Sequence, residues 1–298
     1  MGTKKYRLTG NHINIGNRIL YQIEALKDFG NVKAGDLGGY IESEKNLSQY
    51  DNAWVYGNAE VYGDAQVRGN AQVCDNAEVF GNAWVYGDAQ VRGNAEVYGD
   101  AQVRGNAQVR GNAEVRGNAQ VRGNAQVRGN AEVYGDAEVY GDAQVYGDAE
   151  VYGDAQVRGN AQVCDNAQVF GNAEVYGDAE VYGDAQVRGN AEVYGDAQVR
   201  DNAQVRDNAE VFGNAWVYGD AEIKSKEDYI VFKNWWSSGR YFTWTRSNNM
   251  WKVGCFYGTG EELIQKAYKD SEKSGREYER VVRYVESILA DEKKEVQP

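Results

Sequence analysis

Between Asp51 and Ile223, more than half of the chain, there is no serine, threonine, lysine, methionine, histidine or proline. General-base and nucleophilic chemistry in that stretch would fall to Cys74 or Cys164 with no basic partner. The single histidine, His12, lies outside it, so no catalytic residue is expected and the chain reads as a non-enzyme. The three cysteines, Cys74, Cys164 and Cys255, are too few for a disulfide framework, and their spacing fits no zinc pattern. Neither a metal nor a cofactor is expected, and the expected setting is reducing and cytoplasmic. No apolar run reaches membrane-spanning length and none follows Lys4, Lys5 and Arg7, so no membrane segment or secretory signal is expected.

Only one proline accompanies 36 glycines. A Pro/Gly linker or a collagen-like chain is thereby excluded, since the glycines recur at fixed spacing among valines and alanines. Charge is uneven along the chain. Residues 51 to 223 carry 16 Asp and 12 Glu against 11 Arg, a net −17 within a total of −13. The flanks are weakly positive. Direct nucleic-acid binding by the acidic middle is therefore disfavoured.

What is present is a six-residue repeat. Alanine falls at 53, 59, 65 and every sixth position to 221, with Val or Ile two residues later each time, in 29 units without an insertion. In a unit such as Ala59-Glu60-Val61-Tyr62-Gly63-Asp64, Ala-x-Val is a short strand with alternate side chains inward, and Glu, Gln or Trp faces out. Gly and Asn or Asp supply the positive φ and the side-chain-to-backbone bonding of a sharp corner. A three-residue strand cannot bury its own face, so the chain must wind until successive turns stack and pair. Three hexads per turn make an 18-residue triangular coil. At a strand spacing of ~4.8 Å the array forms about ten coils, a rod on the order of 46 Å long. The expected fold class is thus an all-β solenoid, a triangular parallel β-helix.

Residues 1–46 read as an N-terminal β cap with a degenerate first coil, 47–224 as the solenoid, and 225–298 as a small C-terminal α+β module. In the cap, Lys5 to Thr9 and Ile19 to Leu26 are expected strands, and Ile41 and Leu47 fall in phase with the alanines. After the array, Tyr229 to Lys233, Arg240 to Arg246 and Met250 to Phe256 read as three aromatic-rich strands. Thr259 to Glu262 has the capping-box pattern that starts one helix, and a second amphipathic helix carries Val281, Val282, Val285, Ile288 and Leu289.

Positions 18 apart share a face. One face carries Gln72, Gln90, Gln108, Gln126, Gln144 and Gln162 between Trp54 and Trp216, a ladder able to bond amide to amide. The next carries Glu60, Glu78, Glu96, Glu114, Glu132 and Glu150, carboxylates that repel by roughly 1 kcal/mol per neighbouring pair in water. Arg92, Arg110 and Arg128 on an adjoining corner are expected to reach and partly neutralise this ladder, which is otherwise a site for cations or a basic partner. The corner residues Arg104, Arg110, Arg116, Arg122 and Arg128 circle the rod, followed by Tyr134, Tyr140, Tyr146 and Tyr152. Such belts either cover the coils or hold an anionic ligand or a neighbouring subunit. Trp54 and Trp216 are expected to pack against the terminal segments.

The Ala-x-Val units resemble the consensus of the hexapeptide-repeat, left-handed parallel β-helix superfamily, an aliphatic residue with a small one two positions before it. The likeness covers roughly three-fifths of the chain, from Ala53 to Ile223, and implies left-handed coiling. Enzymes of that superfamily are mostly acyltransferases with a histidine base and a protruding loop, or carbonic anhydrases with three zinc-binding histidines, and this array has neither histidine nor loop. The segments Gly35-Asp36-Leu37-Gly38-Gly39-Tyr40-Ile41 and Gly254-Cys255-Phe256-Tyr257-Gly258-Thr259 resemble stretches that bracket such arrays in uncharacterised bacterial and phage proteins. The leading functional expectation is a non-catalytic scaffold with a protein partner, able to form a homo-oligomer. A phage- or prophage-encoded nucleic-acid mimic and a hexapeptide-type acyltransferase without loops are the alternatives.

Overall fold

The structure, a computed structural model, describes residues 4–295, with side chains to residue 292. Every Ala and Val of the hexads points into one narrow prism, where their exposures are 0% or 1%. Strands 18 residues apart pair in parallel, as in Glu60↔Glu78 and Val61↔Val79. Three sheets wall the prism: ten strands from Trp54 to Trp216, nine from Gln66 to Glu210, and a third begun by the N-terminal cap. The result is a parallel β-solenoid of about ten turns.

Backbone amides bond forward to carbonyls 17 residues ahead, as in Glu60 N–H to Ala77 O (2.9 Å) and Tyr62 N–H to Val79 O (3.1 Å), while the amides at the Val positions point back to the preceding turn, the alternation of a parallel ladder. Each end of the rod therefore has both N–H and C=O groups with no further turn to bond. Unpaired backbone groups at either end would cost about as much as lost hydrogen bonds. The caps meet several of these groups. At the N-terminal end Lys5 donates to Ala53 O (2.8 Å) and Tyr50 O (3.1 Å), and Asn46 to Gly63 O (3.0 Å) and Ala65 O (2.9 Å). Tyr6 donates its hydroxyl to Leu47 O (2.7 Å). At the C-terminal end Thr243 Oγ1 accepts from Trp216 N–H (2.8 Å), and Ser247 Oγ from Glu222 N–H (2.7 Å).

The cap is a hairpin, Tyr6–Ile15 against Arg18–Ala25, joined to Leu37–Ile41, which pairs in parallel with the array. The first strand runs past Thr9 to Ile15, through a register shift between Leu8 and His12, and the Gly16-Asn17 corner closes a two-residue turn. Ile41 and Leu47 pair with Val61 and Val67, 20 residues on, so they take the Val position and not the Ala position that their count suggested. The stretch from Leu47 to Val55 holds two residues more than a hexad step, and this restores the phase. Close approach explains the paired glycines here, since a Cβ on Gly39 would lie 2.4 Å from Ala59 O. Trp54 is buried edge-on between Tyr6 (6.0 Å) and Phe29 (5.3 Å), as expected of a residue that seats a cap.

The C-terminal module has four antiparallel strands where three were expected. Gly254, at φ +54°, turns the chain inside Met250 to Phe256 and separates Met250–Val253 from Phe256–Gly258. Helix α1, Gly260–Asp270, starts at Thr259, whose hydroxyl accepts from Glu262 N–H while the Glu262 carboxylate accepts from Thr259 N–H (2.8 Å). Helix α2, Glu272–Glu295, packs Val282 and Val285 with Trp244, Trp251 and Leu263 in a second core. No described helix is long and apolar enough to cross a membrane.

Candidate interaction surface

In many hexads the fourth residue, where it is Arg or Tyr, does not simply cap its corner. It lies along the next turn and reaches the outward residue 16 positions ahead. Arg116 meets Glu132 (2.6 Å), Arg158 meets Glu174 (2.7 Å) and Arg206 meets Glu222 (2.8 Å). Tyrosines do the same by hydroxyl, Tyr62 to Glu78 (3.0 Å), Tyr98 to Glu114 (3.0 Å) and Tyr134 to Glu150 (2.9 Å). Each exposed ion pair contributes about 0–1 kcal/mol, so repetition matters more than any one of them.

Glu60, Glu78, Glu96, Glu114, Glu132 and Glu150 do stack in register on one face. Their neutralisation differs from expectation. Arg110 and Arg128 bond Gln126 (3.2 Å) and Gln144 (2.8 Å) on the glutamine face, and Arg92 stacks with them there. Arg116 is the ion-pair partner of the glutamate ladder instead, since the 16-residue step and not the 18-residue stack decides who meets whom. Glu60 and Glu96 are the two whose carboxyls are held above the ordinary carboxylate range, by burial first and then by neighbouring glutamates. Glu96 also has no hydroxyl donor from the preceding turn, because the residue 16 positions before it is Phe80.

A direct test follows. Phe80 is stacked between Tyr62 (5.0 Å) and Tyr98 (4.7 Å), so Phe80→Tyr fits the column and places a hydroxyl at Glu96. The Glu96 carboxyl is expected to titrate lower. A lowered folded-state pKa adds stability above the unfolded carboxylate range and loses it as pH falls through the folded value, so the gain, about 1 kcal/mol, should appear at pH 7 and vanish in acid. Carboxyl NMR titration with melts at both pH values checks this, and an unchanged Glu96 titration would refute it.

The belt residues are divided among the three faces. Arg104, Arg122 and Tyr140 lie on one, Arg110, Arg128 and Tyr146 on the glutamine face, and Arg116, Tyr134 and Tyr152 beside the glutamates. Basic and aromatic bands engage each other across turns. The guanidinium carbons of Arg116, Arg122 and Arg128 lie 4.1, 4.3 and 4.7 Å from the rings of Tyr134, Tyr140 and Tyr146. Tyr134 and Tyr152 stack at 4.9 Å.

Sequence reasoning placed an amide ladder on the glutamines, but Gln126, Gln144 and Gln162 accept from Arg110, Arg128 and Tyr146 instead. The amide relay runs along the corner asparagines: Asn58, Asn76, Asn94, Asn112 and Asn130 each donate to the next turn, and Asp148 receives the last bond (2.8 Å). Asn both donates and accepts while Asp only accepts, so an Asp ends the relay. Four aspartates, Asp75, Asp165, Asp201 and Asp207, stand at the glycine corner with φ of 59° to 65°. Asp75 accepts from Gly93 N–H of the next turn (3.1 Å), a bond that offsets the left-handed backbone. Cys74 and Cys164 are both free thiols, pushed up by burial.

The family model of the YdcK beta solenoid repeat matches residues 71–87 and 143–159. No curated protein matches the chain. Two segments matching that repeat, set within an unbroken stack of about ten 18-residue turns, make the chain a hexapeptide-repeat-like β-helix.

Proposed function

We propose that the chain is a non-catalytic scaffold, a stiff rod that holds its two end modules at a fixed separation for a macromolecular partner. The observation that carries this reading is a single core, continuous from Tyr6 to Tyr229, inside an array without an inserted loop. Coils that contact only their neighbours make length a simple sum of turns. The ion pairs of Arg116, Arg122, Arg158 and Arg206 with outward glutamates weigh against a nucleic-acid mimic, because they neutralise the charge such mimicry needs.

Deleting one whole turn, Ala119 to Asp136, is expected to leave a folded rod shorter by ~4.8 Å, since the residues brought together are again a hexad boundary. Small-angle scattering gives the length and melting gives the fold. Cross-linking in cells should then show partners bridging residues 4–46 and 225–292 in the parent and not in the shortened rod. Efficient turnover of an acyl donor by the purified chain would overturn the reading.

A further inference from the structure

Where the last turns meet the C-terminal sheet there is a cleft of about 530 Å³, within the range of small-molecule sites. Its walls include Arg200, Arg240 and Lys252 with Trp216, Tyr218 and Tyr241, and no carboxylate. That is anomalous in a chain of net charge −13. Lys252 is 8% exposed, and among the described residues its side-chain amine makes no hydrogen bond or ion pair. Its amine lies 4.1 Å from the centre of the Tyr218 ring and 5.8 Å from that of Trp216. Arg200, half-buried, is held between Tyr182 (3.8 Å) and Tyr218 (4.7 Å) and donates to the Tyr218 hydroxyl. The nearby Asp201 carboxylate faces Gly219 N–H (3.4 Å) and forms no ion pair with Lys252. Burial, and after it Arg200, pulls the Lys252 amine below the ordinary lysine range. A buried ammonium beside a half-buried guanidinium is costly unless an anion joins them.

We propose that this cleft binds a small anion bearing a planar ring, its phosphate or carboxylate meeting Lys252, Arg200 and Arg240 and its ring lying against Trp216 and Tyr241. Nucleoside monophosphates have this chemistry. The site does not depend on the scaffold reading, because it needs only the joint between the last turns and the module.

The test is calorimetric titration of the full chain with AMP, adenosine and inorganic phosphate. AMP is expected to bind with a Kd below about 1 mM, and adenosine and phosphate each about tenfold more weakly. Lys252→Met keeps the apolar stem and should weaken AMP about tenfold. Arg240→Gln, at an exposed side chain, should weaken it as well and decides the matter if Lys252→Met does not fold. No binding of AMP, phosphate alone binding as tightly as AMP, or full affinity in a folded Lys252→Met would each overturn the proposal.

Discussion

Val133→Asp is expected to break the rod in two. Val133 sits at 0% exposure between Val115 and Val151 in an interior made of Ala and Val, with no polar side chain to receive a carboxyl. Burial of an unpaired charge costs about 3–5 kcal/mol, and protonation relieves only part of it. In a stack where each turn contacts only its neighbours, that cost falls on the central turns, so calorimetry should show two transitions in place of one and hydrogen exchange should quicken around Val133. Val133→Thr changes one methyl into a hydroxyl of the same shape and should cost about 1–3 kcal/mol without splitting the transition. A single unshifted transition in Val133→Asp would mean that the prism is wet.

The second large effect belongs to the corners. Gly111 has φ +77°, and a Cβ there would stand 2.8 Å from Gly129 O of the next turn. Gly213 has φ +65° and nothing within 4 Å. Gly213→Ala therefore meets only the left-handed backbone, about 1 kcal/mol, whereas Gly111→Ala adds a backbone clash and should cost roughly 3 kcal/mol. Gly111→Asp is expected to cost less than Gly111→Ala, because a carboxylate at this corner can accept the amide of the turn ahead as Asp75 does from Gly93. Denaturant melts of the three variants rank these effects, and equal costs for Gly111→Ala and Gly213→Ala would refute the stacking of glycine on glycine.

The period of six, with Ala and Val at fixed places, was enough to read the prism, the parallel pairing and the stacked faces, because each hexad repeats one local choice. The capping box at Thr259 was legible for the same local reason. What eluded the sequence is relational. Counting in sixes puts Leu47 in the Ala slot, and only the two additional residues before Val55 settle its register at the Val position. Arg110 and Arg128 belong to the glutamine face because a corner side chain leans two residues back along the next turn, a displacement that 18-residue counting does not show. The Lys252 cleft escaped because Arg200, Trp216 and Lys252 come from separate segments brought together only by docking of the module.

The common direction of every strand in the array has a consequence for assembly. Stripped of its terminal segments, the solenoid would present at each extremity a row of unpaired backbone donors and acceptors, with the same three-sided outline and the same 18-residue pitch. The last turn of one rod and the first turn of another can then meet as two successive turns do, which is the heterologous geometry of open-ended fibres. Lys5, Asn46 and Tyr6 at one terminus, and Thr243 and Ser247 at the other, thus stand where polymer growth would otherwise begin.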